Sequence, residues 1–180
     1  MKKTIFTLLF SIGILMSANA QFTSYIRLSG DIGIVSNSEK DKKFGVGGTL
    51  SWLTVDNLIS GNEYNYISLG IKGFNNPYGE GKLFSSIMND EDDGFNYIMP
   101  LLGYRFTQKG VEEGFFIEPR IGAAFGASYT AFAISPLAGY SFNNLDFSIY
   151  CDMGFGSEIS AIQKKSFFTP GLSIAYSFGF

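Results

Sequence analysis

From Tyr25 to Phe180 the chain repeats one pattern, in which bulky apolar residues at every second position are opposed by small or polar ones. The last run is the plainest. GLSIAYSFGF alternates Leu172, Ile174, Tyr176, Phe178 and Phe180 with Gly171, Ser173, Ala175, Ser177 and Gly179. Successive side chains of a strand point to opposite sides, so a period of two marks a strand with two chemically different faces. No segment beyond residue 20 keeps an apolar stripe at i, i+3, i+4, i+7 for three turns, so helices are not expected there.

Seven earlier runs follow the same rule. Tyr25 to Val35 sets Ile26, Leu28, Ile32 and Ile34 against Arg27, Ser29 and Asp31, and Phe44 to Thr54 sets Val46, Leu50 and Trp52 against Gly47, Thr49 and Ser51. Asn65 to Gly73 opposes Ile67, Leu69 and Ile71 to Ser68, Gly70 and Lys72. Phe95 to Phe106 carries apolar residues at both parities; Asn96 and Arg105 leave Ile98, Leu102, Tyr104 and Phe106 as its greasy face. Phe115 to Gly126, Thr130 to Phe142 and Leu145 to Gly156 complete the set, with Glu118, Arg120, Ser135, Ser141, Asp146 and Asp152 on their polar faces. The eighth strand begins near Phe167.

These runs are about 9 to 14 residues long, against about 5 to 6 for an ordinary strand and about 9 to 11 for a tilted strand crossing a bilayer. Eight strands enclose a space that side chains just fill. Rows of Phe, Ile and Leu would overpack it, whereas Gly and Ser rows fit, so the greasy face is expected to point outward, into lipid. Lipid offers the backbone no hydrogen-bond partner, so the sheet must close on itself. The expected fold is therefore all-β: an eight-stranded antiparallel up-and-down transmembrane β-barrel over residues 21–180. The connections near residues 55–64, 107–114 and 143–144 fall at one end, and those near 36–43, 75–94, 127–129 and 157–166 at the other.

Residues 1–20 read as a secretory signal peptide: Lys2 and Lys3, an apolar run from Ile5 to Met16, then Ala18-Asn19-Ala20 before Gln21. With the two leading lysines removed, the 13 basic residues fall to 11 against 16 acidic ones, and nothing in that balance attracts nucleic acid. Cys151 is the one cysteine, so no internal disulfide is available.

A signal peptide, eight amphipathic strands and a final strand ending in Tyr176, Phe178 and Phe180 resemble the small outer-membrane β-barrels of the OmpA/OmpX type. The resemblance implies an outer-membrane location, with membrane lipid and lipopolysaccharide as surroundings and the barrel assembly machinery as partner. It also implies that Tyr176, Phe178 and Phe180 act as the assembly signal.

The chain contains no histidine. Serine nucleophiles on such a scaffold would lack the usual base, so no enzymatic activity, catalytic residue or cofactor is expected. The polar faces place Arg27, Lys72, Arg105 and Arg120 against Asp31, Glu118 and Asp152 in the lumen, where a paired network is expected because a lone buried charge costs several kcal/mol. The run Asn89-Asp90-Glu91-Asp92-Asp93 supplies oxygen ligands without the spacing of a calcium loop, so Asp90, Glu91, Asp92 and Asp93 read as solvated outer-loop contacts, with no metal site assigned. Gly81-Lys82 followed by Leu83 fails as a phosphate loop. Tyr25, Trp52, Tyr104, Phe115, Phe142, Tyr176 and Phe180 lie near strand ends and suit interfacial girdles. Two functions fit these features: a structural or surface-interaction protein acting through its outer loops, or a narrow channel or small-ligand binder using the charged lumen. A soluble lipocalin-like barrel is the alternative fold reading.

Overall fold

The alternation becomes ten antiparallel strands. The computed structural model describes residues 24–37, 44–56, 64–77, 94–126, 129–159 and 164–180. Residues 1–20 of the expected leader, and Asp90, Glu91, Asp92 and Asp93, lie outside the described residues. The strands are β1 (Ser24–Gly33), β2 (Gly45–Val55), β3 (Tyr66–Pro77), β4 (Gly94–Thr107), β5 (Glu113–Glu118), β6 (Arg120–Phe125), β7 (Thr130–Ile134), β8 (Leu137–Phe142), β9 (Leu145–Ile159) and β10 (Lys164–Gly179). No helix occurs among the described residues.

Ten strands reduce to a ring of eight because two pairs are single strands interrupted at proline. On β4, Phe106 faces Ile117 of β5 and Gly103 faces Arg120 of β6, in one unbroken register. Glu118 faces Leu137, and Ile121 faces Ile134, so Pro119 stands opposite Pro136. Proline has no N–H to give the ladder, and two facing prolines open the pairing of both strands at one point. The ring then closes: β10 pairs with β9 on one side and with β1 on the other, from Tyr25 opposite Gly179 to Gly33 opposite Gly171. Phe180 extends that last pair, its N–H donating to the Ser24 carbonyl at 2.9 Å.

One end of the ring gathers residues 24 and 180 with the tight connection Asn143-Asn144. Both asparagines have positive φ, 50° and 65°, as the two central residues of a type I′ hairpin turn require.

Burial alternates along the strands and separates two surfaces. Leu28, Leu50, Ile71, Ile98, Ile117, Phe132, Ile149 and Leu172 are exposed on the outer side. Arg27, Asp31, Lys72, Arg105, Glu118, Arg120, Asp146 and Asp152 are all buried on the inner side. The outward parity of β4 is the one its Arg105 indicates: Ile98, Leu102 and Phe106 are exposed, whereas Phe95, Tyr97, Met99 and Leu101 are buried.

The interior differs from a lining of Gly and Ser alone. At the end away from the termini it holds Phe74, Phe95, Tyr97, Tyr129 and Phe167, packed with Val35, Met99 and Leu101. Phe167 lies 5.0 Å from both Phe95 and Tyr97, ring to ring. Near the termini, Leu53, Tyr66 and Val111 form a second cluster. Tyr25 packs against it, 5.8 Å from Tyr66, and so belongs to the interior rather than to an outer girdle. Several of the large rings fit because they pack against glycine. A Cβ at Gly154 would come within 2.0 Å of Phe167 Cε1, and one at Gly171 within 2.5 Å of Tyr150 Oη.

Gly154→Val should therefore destabilise the fold by about 1–3 kcal/mol through overpacking. Urea unfolding of G154V, F167A and the double variant checks this. The double variant should lose less than the sum of the single losses; strict additivity would mean that the ring does not depend on the glycine.

Candidate functional site

The charged side chains converge in the ring's interior between the two apolar clusters, in two groups. Arg27 Nε donates to Asp146 Oδ2 at 2.7 Å, and Arg105 Nη1 donates to the same oxygen at 2.8 Å. Ser141 Oγ donates to Asp146 Oδ1 at 2.7 Å and accepts from Arg105 Nη2 at 3.0 Å. Glu118 completes this group. Its Oε2 lies 3.7 Å from Arg105 Nη1, and its Oε1 accepts from Ser68 Oγ at 2.8 Å. The Arg105 guanidinium also covers the Phe116 ring at 3.7 Å, a favourable face for a cation.

Lys72 centres the second group. Its Nζ lies 2.8 Å from Asp152 Oδ2, 3.3 Å from Asp31 Oδ2 and 3.3 Å from the centroid of the Tyr150 ring. Asp152 also accepts from Tyr97 Oη at 2.7 Å and from Ser135 Oγ at 2.6 Å. Ser135 links Asp152 to Arg120, whose Nη2 donates to the serine oxygen at 2.7 Å and whose Nε donates to its carbonyl at 2.8 Å. Asp31 accepts from Ser29 Oγ at 3.0 Å and Thr49 Oγ1 at 2.9 Å.

The seven charged residues read from the polar faces thus all enter one of these groups, but that set omits the residue that joins Arg27 to Arg105. Asp146 is buried, holds both guanidiniums and brings the two groups together to four positive and four negative side chains. Its signal was present: it shares the parity of Asp152 in the same run. Tyr97 and Tyr150 join the groups through partners remote in sequence, Asp152 and Lys72, whereas Ser135 and Ser141, already on the polar faces, bind aspartates of the nearby β9.

Chemically the arrangement holds charge in place. Each carboxylate accepts from hydroxyls or guanidiniums, and each acts as counter-ion to a cation. Ser135 and Ser141 both donate to an aspartate and accept from an arginine, so neither hydroxyl is oriented as a nucleophile toward solvent. Cys151 is half-buried and lies on the outward parity. Among the described residues no group of three or more His, Cys, Asp or Glu side chains could hold a metal ion. Tyr176, Phe178 and Phe180 are exposed on the outer surface beside β1.

Removing one partner from a buried ion group leaves the other charge uncompensated, a loss of about 3–5 kcal/mol. Asp146→Ala should cost that much in unfolding free energy, since two arginines lose their shared carboxylate. Lys109→Ala breaks only the exposed Lys109–Glu113 pair at 3.2 Å and should cost about 1 kcal/mol or less. Equal losses in denaturant titrations of the two variants would contradict this account of the interior.

No protein-family model matches the chain, and no curated protein matches it either.

Proposed function

We propose that this chain is an integral outer-membrane β-barrel of the OmpA/OmpX type, spanning the bilayer with its ring of strands and acting as a structural or surface-interaction protein through its outer loops. One observation carries the reading: the outer face exposes large apolar side chains on every strand of the ring, while the eight charged side chains of the two ion groups are buried inside. In water this is the wrong way round. Leaving a Leu, Ile or Phe side chain exposed forgoes about 1.5–3 kcal/mol, and exposed patches of this extent mark an interaction or membrane surface. In hydrocarbon the same surface is at rest, and a closed ring satisfies its backbone internally.

Strand length supports the reading. β9 has 15 residues and β10 has 16, enough for a tilted crossing of about 9 to 11 residues with a rim beyond it. Outward Trp52, Tyr104, Phe115, Phe142, Tyr176 and Phe180 fit an interfacial girdle near the end that carries both termini. On this reading residues 1–20 direct export, Tyr176, Phe178 and Phe180 serve recognition by the assembly machinery, and Asp90, Glu91, Asp92 and Asp93 belong to a surface loop facing lipopolysaccharide or a partner.

A narrow channel is the second reading, favoured by the charges in the interior. The apolar clusters at both ends weigh against steady conduction.

Cell fractionation with heat-modifiable gel mobility tests the membrane assignment. The protein should appear in the outer-membrane fraction and migrate differently before and after boiling; a soluble protein with no shift would overturn it.

Planar-bilayer recording separates the two functions. The wild-type protein should give no steady openings. Steady openings abolished by Arg120→Ala or Glu118→Gln would establish the channel instead.

A further inference from the structure

We propose, on the basis of the membrane reading, that the outer face holds one membrane glycerophospholipid at a defined site. Its acyl chain lies in an inclined apolar groove. Its headgroup, a phosphate joined to a primary ammonium, meets Lys109, Glu112 and Glu113 at the rim.

The groove follows from the register of the ring. Outward residues that stand opposite one another form rows crossing the strands. One row runs from Phe106 on β4 through Ala138 and Leu172 to Val46 on β2. The row beside it, two residues nearer the end that carries the termini, runs from Phe115 on β5 through Phe147 to Gly30 on β1. Between them lies a groove of about 1240 Å³. Its floor is the strand backbone of the intervening inward residues, Gly47 and Gly139 included. The small Ala138 in one row and Gly30 in the other lower its walls, and a Cβ added at Gly30 would meet no atom within 4 Å. The groove begins next to the last residue of β4 and ends next to the first residue of β2, so it climbs the wall from one end of the ring to the other. At about 4.8 Å per strand its path is roughly 29 Å, against a depth of roughly 15 Å for one leaflet. A chain entering at the rim fills the lower part and stays in its own leaflet.

The rim end opens at Gln108, whose N–H donates to the Phe115 carbonyl at 3.2 Å. Charged side chains flank that opening. Glu113 shares the outward parity of Phe115 and Ile117, and Lys109 Nζ lies 3.2 Å from its Oε1. Both side chains are more than half exposed, and Glu112 beside them is exposed as well. An ion pair this exposed contributes little and re-pairs at little cost. One ammonium against two carboxylates selects the headgroup. A lipid phosphate accepts from Lys109, and a primary ammonium beside it supplies N–H donors to the glutamates. A purely anionic headgroup would set its phosphate against two carboxylates. A quaternary ammonium would bring the charge without an N–H to donate.

Native mass spectrometry of lipid-stripped protein folded in detergent tests this. The protein is titrated with phosphatidylethanolamine, phosphatidylglycerol or phosphatidylcholine carrying the same acyl chains. Ala138→Trp with Gly30→Phe fills the groove, Glu113→Ala removes one headgroup contact, and Ile98→Trp places the same bulk on the outer face away from the groove. Each variant is first matched to the parent by β-sheet circular dichroism. The wild type should take up one phosphatidylethanolamine about fivefold more tightly than either other lipid, as one partly exposed charge-assisted contact provides. Filling the groove should abolish that uptake, Glu113→Ala should remove the headgroup preference, and Ile98→Trp should change neither. Equal uptake of the three lipids, or uptake that survives the filled groove, would overturn the proposal. An outer-membrane protein with unselective lipid uptake refutes the groove alone, whereas a soluble protein with no gel shift refutes the membrane reading.

Discussion

Everything in this structure depends on the pairing of β1 with β10. An open sheet of long strands would present two edges of unpaired N–H and C=O groups, a template for aggregation in water and an intolerable cost in hydrocarbon. Here Tyr25 to Gly33 pair continuously with Gly179 to Gly171, and the Phe180 N–H fastens to Ser24. Closure also creates the inside. Arg27 reaches Asp146 over a sequence separation of 119 because the ring brings β1 and β9 together around β10.

Once the ring is closed, its small circumference dictates what can lie within. Long cationic side chains can enter only with counter-ions, and the two ion groups together hold four side chains of each sign. Several aromatic rings enter where a neighbouring strand offers bare backbone, as Gly154 does under Phe167. The result is layered: an aromatic cluster at one end, two ion groups in the middle, and the smaller Leu53, Tyr66 and Val111 cluster near the termini. The outer face faces no such limit on volume, which is why it carries branched and aromatic residues with no charge among them in the middle of the strands.

The strands and their outward faces were legible in the sequence because alternation is a local property. Even β4, apolar at both parities, could be oriented from Arg105. What pairs with what inside was not legible. Whether Arg105 meets Glu118, Asp146 or Asp31 depends on the stagger of strands around the ring, which no run of residues encodes by itself. The parity of Asp146 places it inside, but that it holds both Arg27 and Arg105 follows only from the stagger. Tyr25 lies near a strand end, where a girdle is expected, but its shared parity with Arg27 turns it inward against Tyr66. The large residues inside are not legible from side-chain volume alone, because Phe167 and Tyr150 occupy space that Gly154 and Gly171 leave open.

The proline interruption ties the wall to the charges. Pro119 and Pro136 face each other and remove ladder donors from both strands at the same height. Their carbonyls still accept, from Tyr104 at 3.1 Å and from Cys151 at 3.2 Å, so the strands stay adjacent to their outer neighbours. Between the interrupted strands the stitch is made by the next residues inward. The Ser135 N–H donates to the Arg120 carbonyl at 2.8 Å, and the Arg120 side chain turns back to the Ser135 carbonyl and hydroxyl. Ser135 then passes the connection to Asp152, and Asp152 to Lys72. Arg120 is thus both a clip across a weak point of the wall and the edge of the second ion group. Lysine could supply its charge but not the fork that binds a carbonyl and a hydroxyl of one residue together. The break in the ladder and the charge beside it are one structural feature, which explains why this cation reaches its carboxylate through a serine.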